Sequence, residues 1–328
     1  MEHILRQPKS SAPTALKIPD GLLVGSGVTT ASSSIEPQDV YDGGLGGKDV
    51  RLRIANGGAG QSGLIGAWAN AFINDRYKAG IAPFKVAWYL GDTTESLGFL
   101  AAGEVDIAVT YNEAAEKQSM DSGAAVQIKY GFRDHFYLVG PESDPAKLKD
   151  CAKDPLVMFN RIVDQGNKDL VVPPKDREPT RFLSRFDKSA TNIKESELFC
   201  KIGQVPWAFA YSKWYHQYPR FPLQALRAAS VLSEYTLTDR GTWLSSPESV
   251  TSPSVMDIFL EGSDTAGDLL LNPAHVLLGK EAKSEDEEVW KAFMTWVVDH
   301  DGGQKVIREF KKPEGPNGKQ LYTEAPPE

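Results

Sequence analysis

Only two cysteines, Cys151 and Cys200, occur in 328 residues. They match no metal spacing and are too few for a disulfide framework, so they read as ordinary thiols, with a single bridge between them as the alternative. Histidine is nearly as sparse. His3, His135, His216, His275 and His300 are scattered, without the His-x-x-x-His or His–Glu pairing of a zinc enzyme, and there is no Gly-x-Ser-x-Gly nucleophile elbow. Positive charge is in deficit, with 36 Lys and Arg against 44 Asp and Glu and a formal net charge of -8. That balance excludes a nucleic-acid phosphate surface, which needs a basic face to displace counterions, but not a local arginine pocket for a small anion. No run reaches the ~18 consecutive apolar residues of a membrane helix, so the chain does not read as an integral membrane protein. The opening "MEHILRQPKSSAPTALKIPDGLLVGSG" also lacks the ~7–15-residue apolar run of a secretory signal. The chain therefore reads as cytoplasmic, or as extracytoplasmic if a leader has been removed.

What is present is an ordinary globular composition, 41% hydrophobic and 24% charged, in a length that suits roughly two domains of ~150 residues. Residues 1–49 are rich in Ser, Pro and Gly and read as an irregular arm with one short strand around Leu22–Val24. A regular alternation follows. "VRLRIANGG" predicts a strand that stops at glycines, and "SGLIGAWANAFINDRY" has apolar residues at helical spacing. "FKVAWYLG", "VDIAVTY" and "HFYLVGP" predict further strands, separated by helices over "DTTESLGFLAAG", N-capped by Asp92, and "NEAAEKQSMDSG". Such alternation predicts right-handed crossovers and a largely parallel sheet. After Pro141 a second α/β unit begins, with a helix over "DPAKLKDCAKDPLVMFNRIVDQG", a strand ending at Leu183 and a helix over "SATNIKESELFCKIG". A helix and strand over 219–238, a strand at Val276–Leu278 and two helices over 285–310 complete the pattern, with a tail expected to be loose after Tyr322. The predicted organisation is an arm (1–49), a first lobe (50–141), a second lobe (142–265) and a return to the first (266–328). Two crossings between lobes make a hinged cleft, a preferred place for a ligand.

Three clusters carry potential chemistry. "ANGGAGQSGL" places Gly57, Gly58, Gly60 and Gly63 between a strand and a helix. It exposes backbone N–H groups beside Ser62, or serves as a plain tight turn. It is not a P-loop, since no Gly-Lys-Ser/Thr follows. "SRFDKSATN" gathers Ser184, Arg185, Asp187, Ser189, Thr191 and Asn192 ahead of a helix, as anion donors or as mere caps. "YTLTDRGTW" sets Thr238, Asp239 and Arg240 around Gly241, where the aspartate can hold the guanidinium fork for bidentate contact with an oxyanion, or form a structural pair. The aromatic run "WAFAYSKWYHQYPRFP" reads as packing between lobes.

Taken in order, "GEVDIAVTYNEAAEK", "HFYLVGPESDP", "LSRFDKSATNIKESELF", "YTLTDRGTW" and "GGQKVI" resemble the substrate-binding proteins of tungstate/molybdate ABC transporters, in particular the tungstate-binding branch, from about Arg51 to Thr323. The resemblance implies a two-lobe, type II periplasmic-binding-protein fold of the α/β class. It implies capture of tungstate, molybdate or another oxyanion without chemistry or cofactor, and an ABC-transporter permease as partner. Carried over, it assigns Ser184, Arg185, Ser189 and Thr191 to the second-lobe anion loop and Thr238 and Arg240 to the other signature stretch. On the first-lobe loop the family's hydroxyl run is here "ANGGA", which leaves backbone N–H groups such as that of Gly58, with Ser62. The family's glycine-rich stretch is replaced by "YPRFPLQAL". Two other functions fit the scaffold. One is an enzyme in which Arg185 or Arg240 holds a carboxylate or phosphate and Asp187, Asp134 or His135 moves protons; the other is an intracellular anion sensor. No catalytic residue and no metal ligand are assigned.

Overall fold

In the computed structural model, residues 35–208, 212–311 and 320–327 are described. The strand expected around Leu22–Val24 lies outside them. The first half begins with β1 (Asp39–Tyr41) and β2 (Val50–Asn56), then α1 (Gly58–Gln61), α2 (Leu64–Lys78) and β3 (Lys85–Leu90). It continues with α3 (Thr93–Ala101), β4 (Ile107–Thr110) and α4 (Glu113–Asp121). The helix signals work as expected. Asp92 caps α3 in a reciprocal capping box with Glu95, and Gly103 follows the helix at φ +70°. β1 lies inside the stretch read as irregular; it pairs antiparallel with β3, and its three residues are too few to show an alternating pattern.

β5 (Ala125–Pro141) is the longest strand and belongs to both halves. Residues up to His135 pair with β10 (Leu271–Gly279), whereas Phe136 onward pairs with β8 (Tyr235–Asp239) and β9 (Met256–Glu261). The first crossing thus falls within β5, ahead of the expected boundary at 141. The return crossing is the segment 262–270, where Gly262 donates its N–H to Phe136 O and Phe136 donates to Leu270 O.

The second half comprises α5 (Pro155–Val171), β6 (Phe182–Ser184), α6 (Ala190–Lys201), β7 (Tyr215–Gln217) and α7 (Pro222–Leu232). β8 follows, then α8 (Arg240–Ser245), α9 (Glu248–Thr251) and β9. The chain then returns through β10 to α10 (Glu287–Trp296), α11 (Gly303–Glu309) and β11 (Thr323–Glu324).

The sheet runs β1-β3-β2-β4-β10-β5-β8-β6-β7 and is mixed rather than largely parallel. β2 is parallel to β3 and β4, and β6 to β7 and β8, where helices make the crossovers. β10 and β5 carry the chain between halves without an intervening helix, and both run antiparallel to their neighbours.

Each half has its own core. Trp68, Phe72, Phe132 and Phe293 meet edge-to-face in the first, and Phe199 meets both Phe159 and Phe182 edge-to-face in the second. The aromatic run does not pack between halves as expected. Trp214 and Tyr215 join Phe199 in the second core. The tail is not loose after Tyr322: Thr323 and Glu324 pair with Arg133 and Phe132 of β5. Cys151 and Cys200 are free thiols.

Candidate functional site

Between the halves lies a cavity of about 80 Å³. Gly58, Thr93, Tyr111 and Asp134 line it from the first half, and Arg185, Ser189, Thr191 and Asp239 from the second. This volume holds a few water-sized groups and falls well short of the ~300–1,000 Å³ of a drug-sized ligand site.

Arg185 is 5% exposed. Its Nη2 donates to Asp187 Oδ2 at 2.6 Å, and Asp187 Oδ1 accepts from the Ser189 N–H at 2.9 Å and the Ser189 hydroxyl at 2.5 Å. The guanidinium is therefore braced, while its buried Nε–H has no protein acceptor. Phe186, between Arg185 and Asp187, adopts φ 41°, left-handed and unusual for an aromatic residue, and donates its N–H to Ser184 Oγ at 3.0 Å. The tight turn brings the arginine and its brace together.

Ser189 also N-caps α6, accepting from the Asn192 N–H. The first N–H groups of this helix and of α3 have no acceptor within their helices, so two positive helix ends reach the cavity from opposite halves. The halves touch beside it, where the Thr94 hydroxyl donates to Lys188 O at 3.4 Å. The Thr93 hydroxyl is buried with no partner.

Ser184 does not line the cavity. Fully buried, it donates its hydroxyl to the Glu195 carboxylate and accepts from the Tyr215 hydroxyl at 2.7 Å and the Asn192 amide at 3.3 Å. Burial pushes Glu195 up to about 7. Ser184 thus supports the loop that carries Arg185.

The second signature stretch is arranged differently from expectation. Asp239 does not hold the Arg240 fork; its carboxylate caps α8, accepting from the Thr242 N–H at 2.7 Å and hydroxyl at 2.5 Å. Capping satisfies two donors at a helix start, leaving Arg240 beside β5, where its charge bears on Asp134, His135 and Tyr137. Arg240 is not among the cavity-lining residues, and its buried Nε–H has no partner. Thr238 is buried in β8 opposite Tyr137. Ser62 donates to Ala59 O, meets the Tyr322 hydroxyl at 2.9 Å, and lines an adjoining cavity of about 630 Å³ rather than the smaller one.

The residues proposed for proton transfer are dispersed. Asp187 braces Arg185, His135 bonds to Asp264 at 2.8 Å, and only Asp134 reaches the cavity. Burial first, and the Asp239 charge second, raise Asp134 well above the usual carboxylate range. Thr93, Tyr111, Asn272 and Tyr322 also line the cavity and were not singled out from sequence. Tyr111 follows a parallel strand at its carboxyl end, the edge where α/β sheets bind ligands, and Thr93 follows an N-cap, so both carried a usable signal.

Two α/β halves joined through shared strands, with a small donor-lined cavity between them, define the architecture of a two-lobe solute-binding protein. The chain matches the periplasmic-binding-protein (PBP) superfamily domain over residues 27–301 and belongs to that family. It is 30% identical over 223 residues to the tungstate-binding protein TupA of Peptoclostridium acidaminophilum, covering 67% of this chain and 69% of that one. Among solved structures it resembles a periplasmic protein to which metal binding has been ascribed, with 49% identity, TM-score 0.78, and coverage of 89% of this chain and 100% of that chain. It also resembles TupA of Desulfovibrio alaskensis G20, with 26% identity, TM-score 0.65, and coverage of 84% and 98%.

Proposed function

We propose that this protein is the solute-binding component of an ABC transporter, capturing a small oxyanion of the tungstate type between its lobes and presenting it to a membrane permease. The observation that carries the reading is Arg185: buried, braced by Asp187, and left with an Nε–H that no protein group accepts, in a cavity of oxyanion size. Around it, Thr191, Thr93 and two helix ends supply neutral donors that share the anion's charge without charges of their own, while Ser189 gives both its N–H and its hydroxyl to Asp187 and so belongs to the brace. Gly58 contributes backbone at the opposite wall, and Ser184 acts from behind the loop. Ser62 lines the adjoining cavity, Thr238 supports Asp239 from within β8, and Arg240 acts through its field on β5.

The relatives named for tungstate binding support the ligand class, and the relative described as periplasmic supports a place outside the cytoplasmic membrane. No described helix is long and apolar enough to cross a membrane, and the described residues hold no cluster of three or more metal-ligating side chains. The proposed capture is by closure of the two lobes on the anion.

Titration calorimetry with tungstate, molybdate, sulfate and phosphate tests the reading. Tungstate and molybdate are expected to bind the wild type, and Arg185→Ala to lose at least a hundredfold in affinity. Absence of binding by any of the four anions sinks the proposal.

A further inference from the structure

A cavity suited to an anion should avoid negative charge, yet Asp92, Asp134 and Asp239 all line this one beside Arg185. Two of the three have explicit work as carboxylates. Asp92 accepts the Glu95 N–H at the start of α3, and Asp239 accepts two donors from Thr242 at the start of α8. Asp134 caps no helix, although it too accepts two N–H groups. It is 4% exposed, its Oδ1 accepts the adjacent His135 N–H at 2.7 Å, and its Oδ2 meets the Asn272 amide at 3.2 Å. Both partners are neutral, and among the described residues no salt bridge includes it.

The surrounding groups favour the neutral acid. Burial first and the Asp239 charge second disfavour a charge at Asp134; the bonds from the His135 N–H and the Asn272 amide, and then the Arg240 charge, offset only part of that. Tyr111 and Tyr322 also feel the Asp134 charge, and burial raises both phenols, so neither offers a counter-charge. His135, next on the strand, is bonded to Asp264 and is lowered by burial toward the neutral form. Arg185, across the cavity, is already paired with Asp187.

We propose that Asp134 is a specificity-determining residue of the cleft, entering it as an uncharged carboxylic acid whose O–H donates to an oxygen of the bound anion. The inference rests on the oxyanion reading above and adds a selection rule to it. A fully deprotonated dianion offers an acceptor at every oxygen, so a donor at Asp134 is always matched. An anion that keeps a proton, such as hydrogen phosphate, presents one oxygen as a donor and loses part of that match. An ionised Asp134 would select the opposite way, by accepting that proton.

The test compares wild type and Asp134→Asn with sodium tungstate, sodium sulfate and inorganic phosphate at pH 7.5, by calorimetry and infrared difference spectroscopy. Asn keeps the size, the neutrality and an N–H donor, so it is expected to bind tungstate within about tenfold of wild type. The wild-type tungstate complex should show the carbonyl band of a protonated carboxyl that Asp134→Asn removes. A hundredfold gain in tungstate affinity on Asp134→Asn overturns the proposal, because it reveals a repulsive carboxylate in the wild type. Loss of a carboxylate band in place of the acid band does the same. Because Asp92 and Asp239 also line the cavity as carboxylates, selectivity is read as a change: Asp134→Asn should leave the wild-type ratio of sulfate to phosphate affinity within about tenfold, and a larger loss of phosphate binding alone overturns the proposal. If the wild type binds none of these anions, the oxyanion reading fails and this inference falls with it; if it binds tungstate but fails the Asp134 criteria, only this inference falls.

Discussion

Arg185 can recognise an anion because Asp187 fixes where its guanidinium sits; a free side chain of that length would lose rotamer freedom on every binding event. Asp187→Ala is therefore expected to weaken tungstate binding roughly ten- to hundredfold, about 1.4–2.8 kcal/mol, and also to lower the melting temperature of the ligand-free protein, because the buried guanidinium and both Ser189 donors lose their acceptor. Calorimetry and a thermal melt on the same sample check both halves of that statement. Glu195 gives a pH signature. Its carboxyl is raised from 4.5 to about 7 by burial, so the unfolded chain ionises first. Stability contributed by this site is intact below about pH 4.5, falls as pH rises toward 7, and levels off above that, by roughly 3 kcal/mol at most. Glu195→Gln should remove that decline, so that urea midpoints of the variant and wild type diverge between pH 4.5 and pH 8. A constant difference across that range would refute the assignment. Arg185, Asp187 and Ser189 could be read from one contiguous stretch, "SRFDKSATN". Asp134 was legible only as a possible proton carrier, and its meeting with Asn272 and Tyr322 was not, because the three come together only through the register of β5 with β10 and β11, which no local spacing encodes.

Among the elements, α1 shows how the glycine-rich stretch is used. A Cβ on Gly60 would stand 2.1 Å from the Trp88 ring, whose Nε1 donates to Asn56 O, whereas a Cβ on Gly58 would meet nothing within 4 Å. Gly60→Ala is expected to cost about 1–3 kcal/mol and to disturb the cavity wall, and Gly58→Ala to be close to neutral in stability. Chemical denaturation of the two variants decides it; equal effects would mean that the stretch serves only as a flexible turn. Elements with strong local signals emerged from sequence: α3 with its capping box, α6 with Ser189, β2 with the glycines that stop it, and β4 with its apolar run. β5 was recognised only over its last seven residues, since its first half mixes polar and apolar positions at a surface covered unevenly by α4 and β10. β1, β7 and β11, of two or three residues each, exist only because a neighbouring strand offers them partners.

At the scale of the molecule, the two-lobe layout followed from the strand–helix alternation and the change of pattern near residue 141, but the mixed sheet did not. The antiparallel pairings arise where the chain changes lobes, and the sequence marks that event only weakly. The last described segment matters more than its composition suggests. Tyr322 is buried in the first core, packs against Phe132 and Phe310, and meets Ser62 beside the cleft. Deleting residues 320–328 is expected to destabilise the protein by several kcal/mol, about the cost of emptying one aromatic site (3–5 kcal/mol), rather than to trim a free tail. A thermal melt of the truncated chain within a degree of the full-length protein would contradict this. Saturating tungstate, at a hundred times its Kd, should add about 2.7 kcal/mol to the stability of the intact protein.

The placement of β10 also bears on the order in which the protein assembles. β10 lies between β4 and β5, in the middle of the first half's sheet, yet more than 130 residues separate its first residue, Leu271, from the last His135–Leu271 pairing partner. The second half, from Phe136 to Glu261, is continuous in the chain and can close on local contacts. The first cannot finish until the whole second half has been made. Its central seam, which Val276, Leu277 and Leu278 fill, stays open to other chains for all of that time, so aggregation during synthesis and refolding should originate in the lobe that is encoded first.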